Sequence, residues 1–364
     1  MAGRSVLCVG THPESLLLGG CLTLAGHEVV LLETRPPGSK ADAGAAGQSL
    51  RLLTASGEHE VRFAAVTSDP FEALGATDVV LICTPPHALS AVMALVLPLA
   101  EPHHTLVFLP GGLSGLACAT WLRDRGRVDL PTLVGSDAAP FSGRVLADGR
   151  MEVLAATAMP GFGVFPARRA DDVWPLLADL FPGAHLYPHV AAAALASPLS
   201  FVRAPALLLN AEARTAGETA FAGGFTRGVA RLAAALDAER LALGGALDLE
   251  LASAPQTLSR WGIAPLGDLW ATVHGSFVLT SAGASDEAAE DQLADDVRYC
   301  LRPLVDLADE LGVPLPLTRA LVTLGTALDG RGEEGWSLSE LGLAGLATAE
   351  FASYLQNGVV DADA

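Results

Sequence analysis

Residues 10–15 read Gly-Thr-His-Pro-Glu-Ser, where the chain turns from an apolar strand into a helix. Such a turn can hold a phosphate, because the first amides of a helix lack intrahelical partners and its dipole favours an anion. A dinucleotide turn is expected to read G-x-G-x-x-G: one glycine for the turn, one for approach to the pyrophosphate, one for helix–strand packing. Only Gly10 is in place; His12 takes the second position, Ser15 the third, and Gly19 follows four residues on. An imidazole at position 12 would intrude where phosphates lie. Thr11 and Glu14 match the capping pattern S/T-x-x-E, with Pro13 suited to a first helical turn. On that reading Thr11 caps an amide, and the Glu14 carboxylate competes with a phosphate for the positive helix end. The alternative is a shifted turn that binds cofactor through the Thr11 and Ser15 hydroxyls. After the second strand, Glu33 is placed to accept from an adenosine ribose diol, favouring NAD, and Arg35 could meet a 2′-phosphate, favouring NADP. Two solvated loop charges are an equal alternative.

The remaining chemistry-bearing residues make no recognised motif. The sequence holds no HExxH, no P-loop and no G-x-S-x-G, so neither a metal nor a serine nucleophile is expected. His103-His104 lie in a loop before a strand, and His185 and His189 straddle Tyr187-Pro188, which breaks helical spacing. His274, in WATVHGSF, reads more readily as a packed or solvated histidine than as a functional one. Cys8, Cys21, Cys83, Cys118 and Cys300 are odd in number and far apart, with no C-x-x-C pair, which suits core thiols in a reducing cytoplasm.

The elements that must position these residues divide the 364-residue chain in two. A hydrophobic fraction of 51% provides for two cores. With 22 basic against 41 acidic residues, a net charge of −19 excludes a nucleic-acid or anionic-membrane partner. The apolar run at 78–100 is broken by Pro85, Pro86 and His87 and reads as strand, turn and helix rather than a span. Short β-branched runs (SVLCVG, HEVVLLE, DVVLIC, TLVFLP, TLVG) alternate with helical patterns, predicting parallel strands with crossover helices. Residues 49–66 predict a hairpin turned at Ser56-Gly57, and 151–167 further strands near the sheet edge. From about residue 190, Ala/Leu-rich helical patterns take over. The expectation is a doubly wound, Rossmann-like α/β domain over 1–188 and an all-α domain over 189–364, with ligands in the cleft between them.

In this order the segments LAGHEVVLLE (24–33), VTSDPFEALGATDVVLICTPPHA (66–88), VFLPGGLSGL (107–116), DAAPFSGR (137–144) and WSLSELGLAGLATAEFASYLQNG (336–358) resemble the octopine/nopaline (opine) dehydrogenase family. The resemblance spans nearly the whole chain. It implies a Rossmann-like domain followed by a helical catalytic domain. It also implies a reductive condensation: an amine meets a 2-oxo acid and NAD(P)H reduces the imine. The family's His-Pro pair corresponds here to Ala204-Pro205, with Asn210 at the expected offset, so the proton-handling histidine is replaced. Adjacent Arg203 cannot shuttle protons near neutral pH. The family's acidic element corresponds to LADDVRYCL, with Asp296 on the catalytic position and Asp295 beside it. Arg298 stands where a proline is usual, and Asp291-Gln292 where Arg-Tyr normally precedes. Arg144 could clamp a carboxylate or make a structural ion pair. Thr84-Pro85 begin a turn that the resemblance sets over the nicotinamide side, though such a turn is also ordinary βα punctuation.

Three readings follow. The first is an NAD(P)-dependent opine-type oxidoreductase acting on an amino acid or amine and a 2-oxo acid. In the second, the scaffold is recruited to a different, non-redox reaction with weak or lost cofactor binding. The third is a catalytically silent binding protein. A small-molecule substrate is expected under each of the first two, with candidate contacts at Asn210, Asp295, Arg298 and His274. A homodimer is compatible with the sequence and not required by it.

Overall fold

The computed structural model describes residues 3–34, 49–210, 221, 223–281, 286–329 and 335–359. Twelve strands form: β1 (Ser5–Val9), β2 (Glu28–Leu32), β3 (Ser49–Thr54), β4 (Gly57–Arg62), β5 (Ala65–Thr67), β6 (Val79–Ile82), β7 (Thr105–Phe108), β8 (Thr132–Ser136), β9 (Phe141–Val145), β10 (Met151–Ala156), β11 (Gly161–Phe165) and β12 (His185–Leu186). Eight make one sheet in the order β12-β11-β8-β7-β6-β1-β2-β5. β1 pairs in parallel with both β2 and β6, so the winding reverses between β1 and β6. That reversal is a topological switch point, where an open α/β sheet leaves a crevice beyond its strand ends. β11 joins antiparallel to β8. The central strands are buried on both faces, which explains why they read as continuous apolar runs rather than alternating ones.

The expected hairpin forms from β3 and β4, with Thr54 paired to Gly57. It belongs to a second sheet of order β4-β3-β10-β9. Residues 65–67 leave the hairpin and pair with β2 in the main sheet instead. Helix Pro13–Leu24 lies between the two sheets, and its small residues set how closely they approach. A Cβ on Gly19 would stand 3.3 Å from Leu31 of β2, and one on Gly20 would stand 2.9 Å from Leu50 and Leu52 of β3.

From Val190 onward every described element is helical. Helices Val190–Ala196 and Arg227–Ala246 are joined by a buried Arg240–Asp237 pair, whose guanidinium also donates to the carbonyls of Leu195 and Ala252, each at 2.7 Å, with helix Leu199–Leu209 between them in sequence. The chain then returns. Trp336, Leu341, Phe351, Tyr354 and Leu355 share one core with Leu116 and Phe165 of the sheet half. Four cysteines are buried and Cys300 half-buried, all as free thiols; burial pushes Cys8 and Cys21 up to about 12. Among the described residues no single helix is long and apolar enough to cross a membrane.

Candidate functional site

Gly10 makes the turn after β1 with φ +94°, and its amide donates to the Leu32 carbonyl at 2.8 Å. Helix Pro13–Leu24 begins at its proline, so the residue before it is the cap. That residue is His12, extended at φ −77° and ψ 163°, with no side-chain capping bond. The expected Thr11 cap is therefore displaced by one position; Thr11 is buried and Glu14 is exposed in the first turn. The His12 ring folds back over the turn: a Cβ on Gly10 would lie 2.9 Å from its Nδ1. Its Nε2 is 3.1 Å from the Cys83 carbonyl oxygen, which follows β6, and donates to it. The imidazole thus bridges the ends of β1 and β6, across the switch-point crevice. Ser15 is buried and donates to the Val9 carbonyl at 2.8 Å, so its hydroxyl proton closes the strand rather than facing the crevice.

Glu33 follows β2, as the sequence suggests, and its carboxylate makes no hydrogen bond or ion pair among the described residues. It is free to accept from a ribose diol. Arg35 lies outside the described residues. A dinucleotide held in the usual manner of such a turn would run from Glu33 over Gly10 into the crevice, where the His12 ring lies over Gly10. One hydrogen bond holds that ring, and with it in place the turn does not present its amides as an unobstructed phosphate site.

At the end of β6, Thr84 leads to Pro85, the cap of helix Pro86–Val96. His87, in the first turn, meets Asp295 from the helical half. Its Nδ1 is 2.9 Å from Asp295 Oδ2, and its backbone amide donates to Oδ1 at 3.2 Å. Asp295 ends helix Asp286–Asp295, and Asp296 begins a π-helical turn, Asp296–Leu301. π turns concentrate at functional positions because they re-aim neighbouring side chains. Gly325 of helix Pro316–Asp329 accommodates this one, since a Cβ there would lie 2.6 Å from Val297. The two carboxylates consequently point to different partners. Asp296 accepts two bonds from Arg203 (Nε to Oδ2 at 2.8 Å, Nη2 to Oδ1 at 2.7 Å) and one from Ser200 Oγ at 2.7 Å. Burial disfavours the Arg203 cation, but the Asp296 charge outweighs it and holds the guanidinium above its ordinary pKa. Burial raises the Asp295 carboxyl, the His87 hydrogen bonds lower it, and the Asp296 charge raises it again; the net direction is upward.

The other candidates disperse. Arg144 pairs across strands with Glu152 at 2.7 Å in the second sheet, the structural alternative rather than a clamp. Arg298 is buried in an ion pair with Asp329. Asn210 caps helix Leu199–Leu209, its amide donating to the carbonyls of Ala206 (2.7 Å) and Gly224 (2.8 Å). His274 is exposed and stacked on Trp270, 4.2 Å between ring centroids. Ala204 is fully buried in the helical core.

His87 and Ser200 are the residues that motif reading passed over. A histidine directly after Pro85-Pro86, at the end of a strand, is the available signal for the first. A second polar junction also emerged. Asp137, just after β8, accepts from Tyr187 Oη (2.9 Å), Trp261 Nε1 (3.2 Å) and the Gly161 amide (2.8 Å), while Arg260 donates to Tyr187 Oη at 2.7 Å. It fastens the sheet to the helical half. Among the described residues no cluster of three or more His, Cys, Asp or Glu stands in a metal-binding arrangement.

A switch-point crevice faced by a helical half that brings paired carboxylates to its rim is the arrangement in which NAD(P)-dependent oxidoreductases hold their cofactor. The sequence model of the "NAD/NADP octopine/nopaline dehydrogenase, alpha-helical domain" matches residues 186–328, and that of ketopantoate reductase PanE/ApbA matches residues 14–119. An opine dehydrogenase of Arthrobacter sp. (strain 1C) is 27% identical, over 80% of this chain and 82% of its own. A glycerol-3-phosphate dehydrogenase [NAD(P)+] of Frankia casuarinae is 30% identical, over 69% of this chain and 72% of its own. Octopine dehydrogenase in complex with NADH and agmatine shares the fold, with a TM-score of 0.72 at 19% identity and 98% coverage of both chains. The chain thus resembles the octopine/nopaline dehydrogenase family, and residues 186–328 match that family's helical domain.

Proposed function

We propose that the protein is an NAD(P)H-dependent oxidoreductase that condenses an amino acid or amine with a 2-oxo acid and reduces the resulting imine. The observation carrying this reading is the meeting of His87 and Asp295 at 2.9 Å on the rim of the switch-point crevice. It joins an acid–base pair to the place where a nicotinamide would enter. Glu33 would hold the adenosine ribose and the amides after Gly10 the pyrophosphate; NAD(P)H, when bound, supplies the hydride. Arg203 would receive the 2-oxo acid's carboxylate: Nε and Nη2 are held by Asp296, Nη1 makes no bond among the described residues, and the side chain is 27% exposed. The catalytic role considered for Asp296 becomes that of a counter-ion that presents this guanidinium.

A second reading is favoured by one observation, the His12 ring bridging Gly10 and the Cys83 carbonyl. If that ring stays in place, the scaffold has lost its dinucleotide and serves a non-redox reaction. Calorimetric titration with NADH, NADPH and their oxidised forms separates the two. Micromolar binding of one form, followed by turnover in a screen of amines against 2-oxo acids, supports the first. No binding at millimolar cofactor supports the second.

A further inference from the structure

We infer that His87 and Asp295 are the proton-transferring pair of this cleft, His87 as the general base and acid and Asp295 as the group that orients it. The inference deepens the imine-forming reading above and rests on it. Asp295 grips His87 at two points, Oδ2 on the ring Nδ1 at 2.9 Å and Oδ1 on the backbone amide at 3.2 Å. A carboxylate on Nδ1 places the ring hydrogen there and leaves the Nε2 lone pair exposed. Nε2 has no hydrogen-bond partner among the described residues, and the His87 side chain is 42% exposed against 11% for Asp295. The orienting member is thus covered and the exchanging member open, the arrangement that an activated base and its third group require.

Two charged groups beside the pair have carboxylate or guanidinium partners of their own. Asp296 on the π turn is neutralised by Arg203 from helix Leu199–Leu209, and Arg298 on the same turn is paired with Asp329. Helix Pro86–Val96 carries no charged residue besides His87 itself. Asp295 therefore has one open partner to serve. The family's histidine position is the buried Ala204, so an imidazole reaches the acidic doublet from the other half of the molecule.

The amine substrate arrives as an ammonium ion. Nε2 takes one of its three protons, and the freed lone pair forms the C–N bond to the 2-oxo carbon. The carbonyl π pair moves to oxygen, which takes the nitrogen's second proton and becomes a hydroxyl. The imidazolium returns its proton to that hydroxyl, the C–O bond breaks, and water leaves. The product is the iminium with its one remaining N–H, and His87 ends neutral as it began. Nothing is oxidised or reduced in this step.

The test is made on the full chain. His87→Gln is expected to lower kcat about 10²- to 10⁴-fold, leave the NAD(P)H dissociation constant and Tm near wild type, and abolish the acid limb of the pH–rate profile. Unchanged kcat with an unchanged profile, or a fall in Tm without a change in profile, overturns the pair and reduces it to an interdomain strut. A cofactor-free readout guards against a variant that folds poorly. In ¹⁵N-labelled wild-type protein the neutral His87 ring must carry its hydrogen on Nδ1, and Asp295→Asn must shift that signal; hydrogen on Nε2 overturns the proposal. If the wild type neither binds NAD(P)H nor turns over any amine and 2-oxo acid, the functional reading falls and the pair falls with it. Cofactor binding by the wild type with full activity in His87→Gln removes the pair alone.

Discussion

The His12 imidazole is held by one hydrogen bond to the Cys83 carbonyl, and a typical such bond contributes about 0.5–1.5 kcal/mol. A dinucleotide entering the crevice must break it and turn the ring away. Removing the side chain lifts that cost, so His12→Gly should tighten NAD(P)H binding about three- to tenfold, read by calorimetry at constant salt. Weaker binding in the variant would make the imidazole a phosphate ligand instead. The turn also illustrates what a motif can mislead about. Thr11-His-Pro-Glu14 satisfies the capping pattern, yet a proline at the first helical position assigns the cap to its predecessor, so Pro13 decides in favour of His12. His87 was less legible still. Its carboxylate partner lies 208 positions along the chain, and no spacing rule joins residues that only the packing of two halves of the chain brings together. Asp296 was visible through its surroundings, but its bond to Arg203 was not, because the π turn re-aims the doublet.

Elements were easier to read than sites, because strands buried on both faces must be continuous runs of apolar residues and the helical half repeats at helical spacing. Helix Val190–Ala196 is an instructive exception in its capping. It begins at His189, whose Nδ1 accepts from the Ala192 amide at 3.0 Å, a role no capping preference suggests for histidine. Burial holds that imidazole neutral, with a pKa of about 4 against 6.5 for the free group. Between those values the unfolded chain binds more protons than the folded one. Stability is thus complete above pH 6.5 and is lost as pH falls toward 4, by at most ~3 kcal/mol from this group. His185, lowered by burial and then by the Arg260 charge, contributes with the same sign. Urea midpoints across this window should fall steadily in the wild type. They should fall less in His189→Asn, which retains a capping oxygen without a titrating ring; identical slopes would place the acid sensitivity elsewhere.

At the scale of the molecule, a division at 188/189 separates the sheet from the helices in sequence but not in packing. We propose 1–188 and 189–364 as units of architecture that unfold together. The C-terminal helix Thr348–Asn357 inserts Phe351, Tyr354 and Leu355 into the core beneath the sheet. Arg123 of the sheet half donates to Tyr354 Oη at 2.8 Å, and its guanidinium lies 5.2 Å from the Tyr354 ring centroid and 5.5 Å from that of Phe165. The Asp137–Tyr187–Arg260–Trp261 junction ties the halves again at the other edge. The His87–Asp295 contact needs this rigidity, since the two residues meet only while both halves stay in register. Tyr354 is 4% exposed, and truncating a buried aromatic costs about 3–5 kcal/mol. Tyr354→Ala should therefore displace the whole unfolding transition, with far-ultraviolet dichroism and tryptophan fluorescence moving together in urea, although the mutation lies far along the chain from every strand it destabilises. Two separated transitions, with only the fluorescence of Trp336 shifted, would mean that the sheet half folds alone and the C-terminal helix merely rests against it.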